Sequence, residues 1–398
     1  MASKTDTAAA SSATSPSASP TGDPWLLTPG PLTTSPSVKE AMLHDYGSRD
    51  SHFIDVNRRV REKLLAIIED EGPDSGEGDF VAVPMQGSGT FAVEAMLGTF
   101  LPRDGKALVL VNGAYGQRVL KICRYLGREA VVQETPEDTP PDLAALEAAL
   151  AADPAIDHVV AVHCETTSGI LNPIEEIAAV VAGQGRRLLI DAMSAFGAIP
   201  LSCKTVQFDA VAASSNKCLE GVPGMGFVLA RKDALQACEG NAHSLALDLH
   251  DQWTAMEKTG QWRFTPPTHC ILAFDQAIAE FEAAGGVAGR GKRYGDNCRI
   301  LVEGMRALGF KTLLPDELQA PIIVTFHMPE DPKFDFQSFY DRLRDQGYVI
   351  YPGKLTVAES FRIGCIGALG AAEMRGALSA VAATLAEMGV ASGVPSAA

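Results

Sequence analysis

A lysine and an aspartate pose the first chemical question. Lys217 stands in Ala213-Ser214-Ser215-Asn216-Lys217-Cys218, just beyond an apolar stretch and ahead of Gly221-Val222-Pro223-Gly224. Small residues on both sides shape a pocket. Burial there, beside a cationic ring, lowers an amine's pKa and favours the neutral form that attacks a carbonyl. Asp191 lies 26 residues earlier, where the run Arg187–Ile190 ends. A carboxylate at that point can hold the proton of a pyridinium nitrogen, bind a ribose or cap a helix. Gln86-Gly87-Ser88-Gly89-Thr90 forms a small-residue turn ahead of an apolar helix. Free N–H groups at Ser88, Gly89 and Thr90 suit a phosphate, although the turn lacks the lysine of a P-loop and does not fit GxGxxG. Arg362, inside Phe361-Arg362-Ile363-Gly364, is either half of a structural salt bridge or a fork for a substrate carboxylate or phosphonate.

Each feature alone has an ordinary explanation: a solvated lysine, a cap, a tight turn, an ion pair. In this order, a phosphate turn, a strand-end acid and a pocket lysine describe a pyridoxal 5′-phosphate site. Tyr115 is placed to stack on such a ring, with core packing as the plainer alternative. The eight histidines show no HExxH or other ligand spacing, so no metal is expected, and the absence of a Gly-x-Ser-x-Gly elbow leaves a serine hydrolase unsupported. Cys218 reads as a small packing residue.

The elements that must carry these residues alternate. Strands are predicted at Val81–Met85, Ala107–Val111, His158–His163, Arg187–Asp191, Phe208–Ser214 and Met225–Ala230. Helices are predicted at Thr90–Phe100, from Asn112–Gly116 to about Gly127, at Leu143–Ala151 with Asp142 as cap, and from Pro173 onward. This rhythm predicts an α/β fold with a mostly parallel sheet flanked by helices, and ligands at the carboxyl ends of its strands. After about residue 270 the pattern changes to long helices at His269–Ala284 and Gly289–Leu308, strands at Ile322–His327, Tyr348–Tyr351 and Ser360–Ile363, and helices at Phe336–Gln346 and before Gly393. The expected division is a disordered low-complexity tail over 1–24, a large cofactor-binding domain over 25–285 and a small α+β domain over 286–392.

Composition bounds the rest. The 398 residues are 46% apolar and 21% charged, which suits a globular chain with a large core. The net charge of −16 makes nucleic acid and anionic membranes poor partners, because both repel an acidic surface. The eight cysteines are scattered without a CxxC pair, which suits a reducing cytoplasm. The first 22 residues are Ser/Ala/Thr/Pro-rich without the apolar core of a secretory signal.

Nine segments together resemble the fold-type I, class V aminotransferases: LLTPGPLTTS (26–35), QGSGTFAVEAMLG (86–98), NGAYGQR (112–118), HCETTSGILNPIEE (163–176), DAMSAFGAIPL (191–201), SSNKCLEGVPGMGFV (214–228), WRFTPPTH (262–269), YPGK (351–354) and FRIGCIG (361–367). The resemblance runs from about Trp25 to the last helix. It implies that Lys217 forms the cofactor Schiff base and shuttles the proton, and that Asp191 pairs with the pyridinium nitrogen. It further implies that Ser88, Gly89 and Thr90 hold the phosphate, Tyr115 stacks on the ring, Thr166 bonds its phenolic oxygen and Asn216 belongs to the cofactor site. Thr265 would reach the phosphate of a neighbouring subunit's cofactor, implying a homodimer, and Arg362 would hold the substrate anion. Within the class the resemblance points to moving the amino group of 2-aminoethylphosphonate to pyruvate, a ping-pong exchange giving phosphonoacetaldehyde and L-alanine. An alanine– or serine–glyoxylate aminotransferase of the same class is the alternative, and a non-catalytic protein that keeps the fold is a remoter one.

Overall fold

The computed structural model describes residues 19–69, 79–353 and 358–394. Residues 1–18 of the expected tail and Lys354 of the YPGK segment lie outside them. Residues 19–24, expected as tail, are held: the Gly22 amide donates to Ser19 O, and Asp23 pairs with Lys39 at 2.6 Å.

Along the chain, β1 (Trp25–Leu26), α1 (Pro36–Glu40) and α2 (Ser51–Ile67) precede β2 (Phe80–Gly87), α3 (Gly89–Phe100), β3 (Lys106–Val111) and α4 (Ala114–Tyr125). Then come β4 (Glu129–Glu134), α5 (Leu143–Ala152), β5 (Ile156–Val162), a small hairpin of β6 (Cys164–Glu165) and β7 (Ile170–Leu171), and α6 (Ile174–Gly183). The first part closes with β8 (Arg187–Asp191), β9 (Ala210–Ser214), β10 (Gly224–Arg231), α7 (Lys232–Gln236), α8 (Leu249–Thr259) and α9 (Thr268–Ala283). The remainder comprises α10 (Gly286–Ala307), β11 (Ile323–His327), α11 (Phe336–Asp345), β12 (Tyr348–Val349), β13 (Tyr351–Pro352), β14 (Ser360–Gly364) and α12 (Ala371–Met388).

Seven strands form the central sheet in the order β2-β10-β9-β8-β5-β3-β4. Only β10 runs antiparallel to its neighbours, so the sheet is mostly parallel, as the alternation predicts. Every residue of β9 is buried, because helices cover both faces and leave no solvent side to favour alternation. One face packs on α2, α5, α6 and α9 through residues such as Val60, Leu150, Ile177 and Phe274, and the other packs on α3, α4, α7 and α8 through Met96, Val119, Leu235 and Trp253.

A separate core joins Trp25 and Leu27 to α10, α11, α12 and the sheet β11-β14-β13. β1 pairs in parallel with β12, Trp25 opposite Tyr348. The apolar run Tyr348–Tyr351, read as one strand, is therefore two: the chain leaves β1 after Val349 and joins β14 at Tyr351. β4 was not anticipated, because its edge position leaves Glu129, Val132 and Glu134 exposed and the segment reads as a polar loop. The Asp142 cap is present, with Oδ1 accepting from the amides of Ala144 and Ala145 at 2.9 and 3.1 Å. Among the described residues, no helix is long and apolar enough to cross a membrane.

Candidate active site

Three of the candidate segments lie at the carboxyl ends of strands of the central sheet. β2 runs into the Gly87-Ser88-Gly89 turn, β8 ends on Asp191, and β9 feeds the loop that holds Lys217. Ser88 enters α3 extended and its side chain caps no amide, so the first-turn N–H groups point outward from the helix start, a geometry suited to an anion. A Cβ on Gly89 would collide with Met193, which follows Asp191 by two residues, so the turn and the β8 loop meet in close contact.

Asp191 is 1% exposed. Its Oδ1 accepts from the Met193 amide at 3.0 Å, while Oδ2 accepts no hydrogen bond. Burial pushes this carboxyl above the usual range, opposed by the Arg118 guanidinium. A buried carboxylate oxygen without a donor is costly. It is the group that a cationic ring N–H would satisfy. Thr166 is likewise fully buried and its Oγ1 has no partner.

Lys217 is half-buried, and its Nζ donates to Pro29 O at 2.5 Å. Burial lowers its pKa to about 8, which leaves a sizeable fraction of neutral amine near neutrality. The carbonyl comes from the LLTPGPLTTS segment, where Gly30 adopts φ +112° and a Cβ would lie 2.6 Å from Lys217 Cδ. Only glycine lets that backbone lie against the lysine stem. Asn216 is half-buried beside it. Cys218 is buried, donates to Ser194 O at 3.1 Å and has its thiol pushed up to about 12, so it is a packing residue and not a nucleophile.

Arg362 shows how packing aims a charge. Strand neighbours face opposite sides, and Phe361 and Ile363 enter the core that also contains Phe310, Phe326 and Phe339. Phe361 lies 5.5–5.7 Å from those three rings, and burying each such side chain stabilises by about 1.5–3 kcal/mol. Arg362 must therefore face the other way, toward the site. It is 1% exposed, donating through Nη1 to Thr166 O at 2.6 Å and through Nε and Nη2 to Pro352 O at 3.1 and 2.8 Å, with Tyr351 stacked 4.8 Å away. No carboxylate pairs with it among the described residues, and burial lowers its pKa.

Two residues of this site were missed. Arg118 lies over the Tyr115 ring at 4.4 Å, donates to Thr90 Oγ1 at 3.1 Å and approaches Asp191 Oδ2 at 3.8 Å, joining the turn, Tyr115 and the acid. It sits in the NGAYGQR segment, and its spacing of three from Tyr115 was the available signal. Glu165 is fully buried at the start of α4, accepting from the amides of Tyr115, Gly116 and Thr167 at 3.1, 3.3 and 3.1 Å, and so fixes where Tyr115 stands. Burial raises its pKa. Thr265, by contrast, is exposed on the loop between α8 and α9 and is not hydrogen-bonded to the other site residues. Asp248, His250 and Asp251 gather three potential metal-ligand atoms within 4.8 Å, a grouping the sequence spacing did not reveal. Asp248 there caps α8 through the Asp251 amide and Asp251 pairs with Arg263, so both carboxylates have partners.

A family model described as "Aminotransferase class-V" matches residues 85–357. The chain belongs to the class-V aminotransferases. The chain is 56% identical over 367 residues to the 2-aminoethylphosphonate–pyruvate transaminase of Pseudomonas putida (strain GB-1), covering 92% of this chain and 98% of that protein. It is equally identical to the 2-aminoethylphosphonate–pyruvate transaminase 2 of Burkholderia lata, over 92% and 96%. The crystal structure of pyridoxamine–pyruvate aminotransferase from Mesorhizobium loti superposes with a TM-score of 0.83 at 23% identity, covering 94% and 96%, and shares the fold. Class-V aminotransferases depend on pyridoxal 5′-phosphate, and the residues present fit it. The site offers a donor-free Oδ2 on Asp191 that could take a ring nitrogen, an unpartnered Thr166 hydroxyl, a helix start that could take a phosphate and an amine of lowered pKa.

Proposed function

We propose that this class-V aminotransferase moves the amino group of 2-aminoethylphosphonate to pyruvate, releasing phosphonoacetaldehyde and L-alanine. The observation that carries the reading is Arg362, a buried guanidinium whose charge no carboxylate of the described residues neutralises, bonded to the Thr166 carbonyl beside the unpartnered Thr166 hydroxyl. An anionic substrate supplies the missing charge. The near-full-length identity to the two transaminases supports the choice of phosphonate.

Bound in this site, pyridoxal 5′-phosphate supplies an electron sink for the pair left when a proton leaves the amine-bearing carbon. Lys217 Nζ would hold it and would carry that proton. Asp191, as the carboxylate, would accept the ring N–H and so keep the sink open. The amides of Ser88, Gly89 and Thr90 would orient the phosphate, Tyr115 would cover the ring, Thr166 would bond the phenolic oxygen and Asn216 would line the site. Arg362 holds first a phosphonate and then a carboxylate, a dual task that bidentate pairing suits. One anion site used in turn by two substrates implies a ping-pong course.

The reading extends to a cytoplasmic homodimer with shared sites, small molecules as the only ligands, and a division near residue 285 in which β1 joins the smaller unit. Supporting the dimer, a cleft of about 700 Å³ beside the phosphate turn is lined by Gln86, Gly87, Phe91, Gly224, Phe264 and Pro267, and Phe91 and Phe264 are half-exposed. Thr265 lies next to that cleft in sequence, where a second copy's cofactor would reach it. None of the eight cysteines forms a disulfide, which suits a reducing compartment.

The test is the visible absorbance of the cofactor-loaded protein, titrated with 2-aminoethylphosphonate without any keto acid. Bleaching that pyruvate restores is the expected result. A protein that ignores the phosphonate and bleaches with alanine or serine would belong to the glyoxylate branch of the class.

A further inference from the structure

Glu220 is buried, and it is one of two described non-glycine residues with positive φ, at +58°. Side chains rarely tolerate that region, and where they do the surroundings enforce it. The conformation brings the Glu220 amide to Lys217 O at 2.8 Å, closing the loop behind the lysine, and sends the carboxylate toward α10.

On α10 it meets Arg290 at 3.0 Å, and also Arg293 and the Tyr294 hydroxyl, all through Oε1. Arg290 in turn donates to Cys218 O at 2.7 Å, one residue past the lysine. The Tyr294 hydroxyl accepts from the Gly367 amide at 3.3 Å, and Asn297 donates to Cys365 O and Leu369 O at 3.0 and 3.2 Å. Arg290, Tyr294 and Asn297 fall at i, i+4 and i+7, one stripe of a helix, and all three are buried. Helix stripes turned to a core are ordinarily apolar. This one is polar and reaches on one side the loop of Lys217 and on the other the turn that ends the strand of Arg362.

We propose that Glu220 is a positioning residue which, through Tyr294, fixes the spacing between the Lys217 amine and the Arg362 guanidinium and thereby selects the length of the substrate's carbon chain. This rests on the transaminase reading. A rigid spacing matches one separation between amine and anion, and a loosened one tolerates longer amines.

The experiment compares wild type with Tyr294→Phe and Glu220→Gln, using 2-aminoethylphosphonate and 3-aminopropylphosphonate as donors. Tyr294→Phe cuts the link to Gly367 and keeps the ring. The ratio of kcat/KM for the two-carbon over the three-carbon donor is expected to fall about tenfold, with the loss mainly in KM for the shorter donor. Equal losses for both donors would overturn the proposal, since general destabilisation lowers both alike. Hydrogen exchange of the cofactor-free proteins supplies a readout independent of turnover: faster exchange is expected in both 215–221 and 365–369, and acceleration confined to one segment would overturn the coupling. Should Glu220→Gln fail to fold, Tyr294→Phe decides alone. If wild type turns over neither donor, the transaminase reading falls, and the exchange result still judges whether the two segments are joined.

Discussion

A guanidinium nitrogen of Arg118 stands 3.8 Å from Oδ2 of Asp191, the oxygen that accepts no hydrogen bond. The distance is too long for a hydrogen bond and short enough to hold the acid's charge. Arg118 thus opposes the upward pull that burial exerts on the Asp191 pKa, and leaves the oxygen open to a better donor.

Removing that opposition by Arg118→Met should weaken pyridoxal 5′-phosphate binding by about tenfold, the scale of one lost partly buried charge contact. Arg118→Lys should recover part of the loss only, because a point charge cannot lie flat on the Tyr115 ring. Equilibrium dialysis of the cofactor measures both, and an unchanged Kd for Arg118→Met would remove the residue from the site.

Asp191→Asn keeps the shape and removes the charge. Turnover should fall by about 10²–10³-fold, the usual scale for a group that stabilises developing charge. The cofactor-free variant should meanwhile melt at or above wild type at neutral pH. Asp191 has a raised folded pKa, so its ionised form costs stability above the unfolded pKa, and asparagine removes that cost. A large drop in Tm would show that Asp191 is held for structure.

Arg362→Met should raise KM for 2-aminoethylphosphonate and for pyruvate together, each by about a hundredfold, as expected for a lost charge-assisted bidentate pair. A variant that loses one substrate and keeps the other would mean that the two anions use different sites.

The Lys217 amine supplies a pH test. Its pKa of about 8 lies below the ordinary lysine value, so the folded chain releases this proton before the unfolded chain does. Between about pH 8 and the ordinary lysine pKa near 10.4, stability from this group rises with pH. Lys217→Met should therefore raise the Tm of the cofactor-free protein at pH 7, by a margin that shrinks as pH climbs past 8. In wild type, the rate of cofactor capture should rise with a midpoint near that same pH. A margin independent of pH would contradict the lowered value.

The central sheet was legible because its buried strands read as apolar runs, and the strand ending at Asp191 matches its observed bounds, Arg187–Asp191. The positions of Lys217 and of the Gly87-Ser88-Gly89 turn were legible for the same reason, since both follow such runs directly. Arg118 was not, because its place depends on α4 turning the Tyr115 face toward a strand end far away in sequence. Glu165 looked like any acid in a turn. Its meaning lies in the helix start it faces, a tertiary fact with no local trace. Glu220 was quoted as part of a motif, yet nothing in one sequence marks a glutamate that must adopt positive φ. The double use of Tyr348–Tyr351 was hidden because a strand's choice of sheet is set by distant partners, here Trp25 and Arg362.

The pairing of β1 with β12 also orders events during synthesis. Trp25 leaves the ribosome more than three hundred residues before Tyr348, its partner in the pair. Until then the segment that will press Pro29 against Lys217 is held at its far end, where Ser35 donates to Glu280 of α9 and Val38 enters the large core, but not through β1, and Arg362 has not been made. The nascent large sheet can form with its lysine still unroofed, and the finished pocket closes only when β1 finds β12. A truncated product would accordingly display a reactive amine and no means of choosing what reaches it.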